Sequence, residues 1–187
     1  MSTLTIIQTS FFIIASLFLI IISRHSLRNP QHHGFYRFFA FEYIAILVTL
    51  NAPFWFQNPF SLLQITSWFF LFLSLVVVLA GFYFLKKKGN SRSRKLESAN
   101  YKFENTVSLV DSGIYKYIRH PMYSSLILLA IGALLKNVTI IGIILIILVI
   151  IFNILIAKSE EKENIVFFGS AYRDYMKKSK MFFLYLY

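Results

Sequence analysis

The sequence contains no cysteine, few charged residues and few glycines. The absence of Cys from its 187 residues excludes disulfides, thiolate chemistry and cysteine-ligated metal sites. The seven glycines nowhere form a G-x-G-x-x-G pattern, so nothing indicates a dinucleotide-binding domain. Only 14% of the residues are charged while 57% are hydrophobic and 18% aromatic, a balance too apolar for a soluble domain. The composition therefore predicts a membrane protein.

Long apolar runs are what the sequence has instead. A helix needs roughly 20 apolar residues to cross a hydrocarbon layer of about 30 Å. The runs are Leu4–Ile22, Phe38–Phe56, Ser61–Leu85, Met122–Leu135 and Val138–Ala157. The first has no cleavage-site pattern and no basic segment before it, so we interpret it as a retained span. The prediction is an all-α polytopic membrane protein of about five transmembrane helices, a single domain over residues 1–187 with a three-helix part over residues 1–100.

The basic residues indicate how these helices cross the membrane. The formal net charge is +11, and all but one of the 19 Lys and Arg residues fall in three groups, within residues 24–37, 86–119 and 158–180. The exception is Lys136. Five spans with the N-terminus outside place all three groups on the cytoplasmic face, as the positive-inside rule requires. We therefore expect an outside N-terminus, a cytoplasmic C-terminus and contacts of the basic loops with anionic lipid head groups rather than with nucleic acid.

The stretch "GIYKYIRHPMYSS", residues 113–125, stands at the start of the fourth apolar run. That run is short for a span and is followed at once by the fifth, which predicts a helical hairpin. Pro121 suits the first turn of a helix, where its missing N–H costs nothing. The N-terminus of that helix would offer free amide donors to an anionic group. The alternative is that Arg119, His120 and the neighbouring tyrosines only anchor the chain at the interface.

Two adjacent acids, Glu160 and Glu161, follow the fifth run. If the helix ends there, negative charge at its C-terminus is unfavourable and needs a compensating cation. Lys158, Lys162, Arg119 or the ammonium group of a ligand would serve. The alternative is a helix that runs on past the membrane with both carboxylates in water. Gly169 is the next helix-stop signal, and the residues that follow it are typical of a segment that lies at the membrane interface.

Taken in order, "GIYKYIRHPMY", a short helical hairpin, "EE", "FG" and "Y..Y" resemble the superfamily of isoprenylcysteine carboxyl methyltransferases and phospholipid methyltransferases. The resemblance covers roughly Phe103–Tyr175. It implies an integral-membrane enzyme that uses S-adenosylmethionine without a Rossmann domain, with the cofactor-binding part over residues 101–187 and the cofactor site on the cytoplasmic side. It also implies a lipophilic acceptor that enters from the bilayer, with membrane lipids as surroundings and no obligate protein partner.

The resemblance also implies roles for individual residues. The segment before the G-x-Y element lines the cofactor, Glu160 holds its amino group, and Arg119 or a helix N-terminus suits its carboxylate. The implied cofactor contacts are Leu109, Val110, Tyr115, His120, Pro121, Met122, Tyr123, Glu160 and Glu161. Methyl transfer needs alignment and exclusion of water rather than an activated nucleophile or a metal, and we expect no metal site. His25, His32 and His33 are assigned to the interface.

The acceptor is where the sequence departs from the family. Prenylcysteine enzymes of the family carry a substrate-binding Arg about one helical turn before the Glu pair, and Ile156 occupies that place. We assign Glu42, inside the second run, to the catalytic residues together with Arg119; it would bind an amine or act as a base, or else form a structural bridge with Arg37. An amine-bearing lipid is thus the alternative acceptor. A nicotinamide-dependent membrane reductase and a non-catalytic membrane protein are the alternative classes.

Overall fold

The computed structural model describes residues 3–90 and 106–182, without the side chains of residues 3 and 4. Six α-helices occupy these two ranges, joined in places by single 3-10 turns. The helices are α1 (Thr3–Ser23), α2 (His33–Asn51), α3 (Leu62–Lys88), α4 (Pro121–Leu134), α5 (Ile140–Phe168) and α6 (Ser170–Lys178). The predicted all-α class is confirmed. Four of the nine residues of the second basic group lie outside the described residues: Arg92, Arg94, Lys95 and Lys102.

Four of the helices are long and apolar enough to cross a membrane: α1, α2, α3 and α5. The fourth predicted span, α4, has 14 residues and is about 21 Å long, shorter than the hydrocarbon layer of roughly 30 Å. The polytopic membrane fold is confirmed on these helices. The crossing by α4 and the orientation of the two termini remain predictions.

Two helix boundaries differ from those predicted. Helix α2 begins at His33 rather than at Phe38, because the side chain of His32 caps it by accepting a hydrogen bond from the Gly34 amide at 3.0 Å. Helix α5 does not end at Ala157 but continues to Phe168, since it meets no breaker before Gly169, whose φ is +61°. The acidic pair therefore lies within a helix, and its charge cannot be ascribed to a helix end.

Close packing of the helices and hydrogen bonds from polar side chains hold the bundle together. Helix α4 packs against α3 and α5, α2 packs against α5, and α1 lies on α2. Three side chains donate hydrogen bonds to carbonyls of α4: Ser67 to Gly132 at 2.6 Å, Ser74 to Ser125 at 2.8 Å and Asn51 to Ala133 at 2.8 Å. Lipid exerts no hydrophobic force between helices, so such bonds and small residues determine which helix faces pair.

Lys136 closes the end of the bundle at the α4–α5 turn. Its ammonium group donates to Gln64 at 3.0 Å and lies 3.8 Å from the ring centroid of Trp68. The residue is buried at 4% exposure, and burial lowers the pKa of its amine. Cation–π contact in a dry site compensates part of the cost of that burial. Lys136, the exception to the three basic groups, thus ties the α4–α5 turn to α3.

Replacing Gly132 by Ala is expected to destabilise the protein by about 1–3 kcal/mol, because a Cβ would lie 2.7 Å from the Leu71 Cγ and 3.1 Å from its backbone nitrogen. The matched control is Gly81→Ala on the same helix pair, where the nearest atoms are the Met122 Cγ and the Pro121 Cγ, both at 3.3 Å and so farther away than Leu71 is from Gly132. Thermal unfolding in detergent should show a clearly lower midpoint for Gly132→Ala only. Equal midpoints for the two variants would show that α3 and α4 separate freely.

Candidate functional site

The segment before α4 is held by a short parallel pairing with residues 179–182, which we call the strap. The Arg119 amide donates to the Lys180 carbonyl at 2.8 Å and the His120 amide to that of Met181 at 3.1 Å. The Lys180 amide in turn donates to the Tyr117 carbonyl at 2.9 Å. These bonds fix the backbone just before Pro121. The direction in which the side chains of Arg119 and His120 leave the chain is therefore set by the strap.

A sharp turn positions the residues upstream of this segment. Gly113 has a φ of +63°, and a Cβ at this position would lie 2.3 Å from the ring of Phe84. Both the backbone conformation and the close approach thus require glycine. The turn brings the buried Tyr115 next to α6, where its carbonyl accepts a hydrogen bond from the hydroxyl of Tyr175 at 2.7 Å.

Helix α6 folds back onto α5 through Gly169. Its tyrosines, Tyr172 and Tyr175, are three positions apart and so share one face, which is buried at 3% and 8% exposure. Burial raises the pKa of both phenols, which are therefore neutral. The ring of Tyr172 stacks on that of Phe168 at a centroid distance of 6.4 Å. Aromatic surface rather than charge thus forms this wall of the site.

His120 lies between Glu160 and Glu161 of α5. Its Nδ1 is 3.5 Å from Oε2 of Glu160, and its Nε2 is 3.3 Å from Oε1 of Glu161. The Nε of Arg119 donates to the same Glu161 oxygen at 2.8 Å. Another guanidinium nitrogen of Arg119 donates to the carbonyls of Met176, at 3.1 Å, and Ser179, which lie at the end of α6. The network therefore ties α5, α6 and the start of α4 together.

The two glutamates favour the charged form of the His120 imidazole. Burial favours the neutral ring, but hydrogen bonds and charge from Glu160 and Glu161 outweigh it and raise the His120 pKa. The ring also stacks on Tyr123 at a centroid distance of 5.5 Å. The two glutamates differ in environment, since Glu161 is paired with Arg119 at 8% side-chain exposure and Glu160 keeps 30% exposure. Glu160 is thus the carboxylate that a ligand can reach.

A cavity opens beside this network, with about 690 Å³ of empty space that is partly continuous with solvent. The structure brings most of the predicted cofactor and catalytic residues to its wall: Leu109, Val110, Tyr115, Arg119, His120, Pro121, Met122, Tyr123 and Glu160. The remaining lining residues were not predicted from the sequence: Leu85, Thr106, Asn164, Phe168, Tyr172 and Tyr175.

Three predicted positions lie elsewhere. Glu161 is behind His120 and does not line the cavity. Glu42 is likewise absent from the lining; its Oε2 accepts a hydrogen bond from Ser16 of α1 at 2.8 Å, and its Oε1 is buried without a hydrogen-bond partner among the described residues. The assignment of His33 to the interface was wrong. It is buried at 2% exposure, and its Nδ1 lies 2.7 Å from Oε2 of Glu163.

These features define a helical membrane protein with a cavity of aromatic and charged groups at one end of its bundle. The family model described as phospholipid methyltransferase matches residues 63–167, more than half of the chain. The chain therefore belongs to the phospholipid methyltransferase family, whose members are membrane methyltransferases. The match runs from α3 into α5 and does not include α6 or the strap. Comparisons with curated proteins and with solved structures gave no match.

Replacing His120 by Gln is expected to cost stability in a pH-dependent way. A raised folded-state pKa means that the contribution of the imidazolium is complete below its unfolded value of about 6.5 and is lost as pH rises through the folded value. The stability difference between wild type and His120→Gln should therefore be largest near about pH 6, roughly 1–3 kcal/mol, and shrink toward about pH 9.

Thermal unfolding of the ligand-free protein at several pH values measures this difference. The exposed His25 provides the control, since His25→Asn should unfold like the wild type throughout. A difference for His120→Gln that stays constant with pH would show that folding does not raise the pKa of the ring.

Proposed function

We propose that the cavity binds S-adenosylmethionine and that the protein transfers its methyl group to a lipophilic acceptor that enters from the bilayer. One observation carries the proposal: a single cavity joins the reachable carboxylate of Glu160 to the N-terminus of α4 and to a wall of aromatic rings. Membership of a methyltransferase family supports it.

The residues of the cavity fit the chemical groups of this cofactor. Glu160 suits its ammonium group, because a charge-assisted hydrogen bond to a half-buried carboxylate is strong. The N-terminus of α4, which begins at Pro121, suits its carboxylate through the positive end of the helix dipole. The rings of Tyr123, Phe168 and Tyr172 suit its adenine and its sulfonium cation.

When bound, the cofactor supplies an electrophilic methyl group on a positively charged sulfur. The protein's part is to hold the acceptor in line with that methyl group and to exclude water, which can contribute several kcal/mol. Tyr172 and Tyr175 present neutral, buried aromatic surface. Arg119 is engaged with Glu161 and α6, and so it acts by fixing the wall on which Glu160 and His120 stand.

An amine-bearing lipid is the acceptor class that we favour within this function. Ile156, which stands where prenylcysteine enzymes of the family carry an Arg, is completely buried in an apolar cluster with Ala40, Tyr123 and Phe182. No fixed cation is therefore present at that point for an acceptor carboxylate, and burying an unpaired carboxylate costs several kcal/mol. Glu42 is the intramembrane carboxylate that suits an amine, although it faces α1 rather than the cavity.

Glu160→Gln is expected to weaken the binding of S-adenosylhomocysteine by about 1–3 kcal/mol, since the neutral amide loses the charge-assisted bond to the ammonium group. Isothermal titration of the detergent-solubilised protein measures this loss. Asp174→Asn on the exposed side of α6 is the matched acidic control and should bind normally. Unchanged affinity in Glu160→Gln, or binding of NADPH in place of S-adenosylhomocysteine, would contradict the proposed cofactor site.

For the acceptor, we expect radiolabelled methyl groups to enter an amine-bearing phospholipid well and a farnesylcysteine analogue poorly. Glu42→Gln should leave S-adenosylhomocysteine binding intact, because Glu42 lies outside the cavity lining, and should lower transfer to the lipid only if the amine binds between α1 and α2, where Glu42 meets Ser16. Both acceptors are assayed side by side in the same membranes. Efficient methylation of the farnesyl analogue by the unmodified protein would favour a carboxylate acceptor instead.

A further inference from the structure

A second cluster of metal-ligating side chains lies outside the cavity, where the start of α2 meets α5. His32 and His33 come from α2 and its cap, and Glu163 comes from α5, one helical turn after Glu160. Each of the three offers a ligand atom, and these atoms all lie within 4.8 Å of one another. None of the three residues lines the cavity, and the methyl-transfer proposal uses none of them.

Local structure orients the two histidines. Nδ1 of His32 accepts a hydrogen bond from the Gly34 amide at 3.0 Å. Because a neutral imidazole has a single lone pair, binding of an ion by this ring replaces that hydrogen bond. The His33 ring lies beside it, with a centroid distance of 4.2 Å and a tilt of 33°. Since His32 is the cap of α2 and His33 its first residue, helix formation itself sets the two rings side by side.

Glu163 of α5 contacts His33. Its Oε2 lies 2.7 Å from Nδ1 of His33, and its Oε1 accepts a hydrogen bond from the His33 amide at 3.4 Å. His33 is buried at 2% exposure, while the Glu163 side chain keeps 22%. The cluster is thus a mostly buried contact between two helices, with one edge from which a small ion can enter.

We propose that His32, His33 and Glu163 form a binding site for a divalent transition-metal ion of the zinc type. Two imidazoles and one carboxylate are ligands that zinc accepts, with water in the fourth position. Tetrahedral bonds of about 2.1 Å place ligand atoms about 3.4 Å apart, so side-chain adjustments of roughly an ångström complete the site. The ion takes the place of the proton that His33 and Glu163 share.

The position of the ion predicts that it stabilises the fold. It links the first turn of α2 to α5 directly beside Glu160, and so it fastens a helix outside the family-matched residues to the helix that carries the acidic pair. A ligand that binds the folded state and not the unfolded one stabilises the fold. The ion should therefore raise the unfolding temperature of the ligand-free protein.

The test uses the full chain in detergent, stripped with a chelator and titrated with zinc alone in competition with a chromogenic zinc indicator. We expect the wild type to bind one zinc ion per chain and to unfold at a higher temperature with zinc than without it. Glu163→Gln and His32→Asn should each lower the affinity by about tenfold or more and abolish the shift.

Both variants preserve the local fold. Gln keeps a hydrogen-bond acceptor for His33, and Asn is among the best N-cap residues for α2. Stripped variant and stripped wild type should therefore unfold at similar temperatures. His25→Asn is the control, an exposed histidine of the same basic turn that should leave zinc binding unchanged. Absence of competition by the wild type, or an equal loss of affinity in His25→Asn, would overturn the proposal.

Discussion

The contact of His120 with Glu160 and Glu161 is the interaction on which this end of the molecule depends. Two adjacent, partly buried carboxylates without cationic partners would lower the stability of the fold. Removing the partner of a buried charge typically costs about 3–5 kcal/mol. His120 meets both acids, and Arg119 completes the pairing of Glu161. The end of α6 is bonded to the Arg119 side chain, and the strap is bonded to the backbones of Arg119 and His120, so the charged network and the strap hold each other in place.

The negative charge of the acids on α5 is compensated by cationic groups from neighbouring segments. The helix carries acids at three nearby positions, and the groups that meet them come from the residues before α4 and from the start of α2. Helix packing in lipid is driven by close contact and by polar bonds, without a hydrophobic force between helices. A layer of ion pairs at one end therefore fixes the rotation of α5 relative to its neighbours, while small residues and carbonyl bonds fix the middle of the bundle.

Much of this could be predicted from the sequence, for identifiable reasons. Apolar runs reveal lipid-facing helices, and Pro121 correctly marked the start of α4, because both signals are local. The burial of His33 and the continuation of α5 to Phe168 depend on partners distant in sequence, which no local pattern reports. The three-residue spacing of Tyr172 and Tyr175 indicates that they share one helix face. Only the reversal of the chain at Gly169 turns that face toward the cavity, and no local pattern predicts it.

The pairing of the strap with the segment before α4 has a consequence for how the chain is assembled. The strap and α6 follow α5 in the chain, so they are the last of the described parts to be synthesised. Until they are in place, the segment before α4 lacks its backbone bonds to residues 179–182 and Arg119 lacks its bonds to the end of α6. A chain truncated after α5 would therefore keep its apolar helices and lack a finished cavity wall.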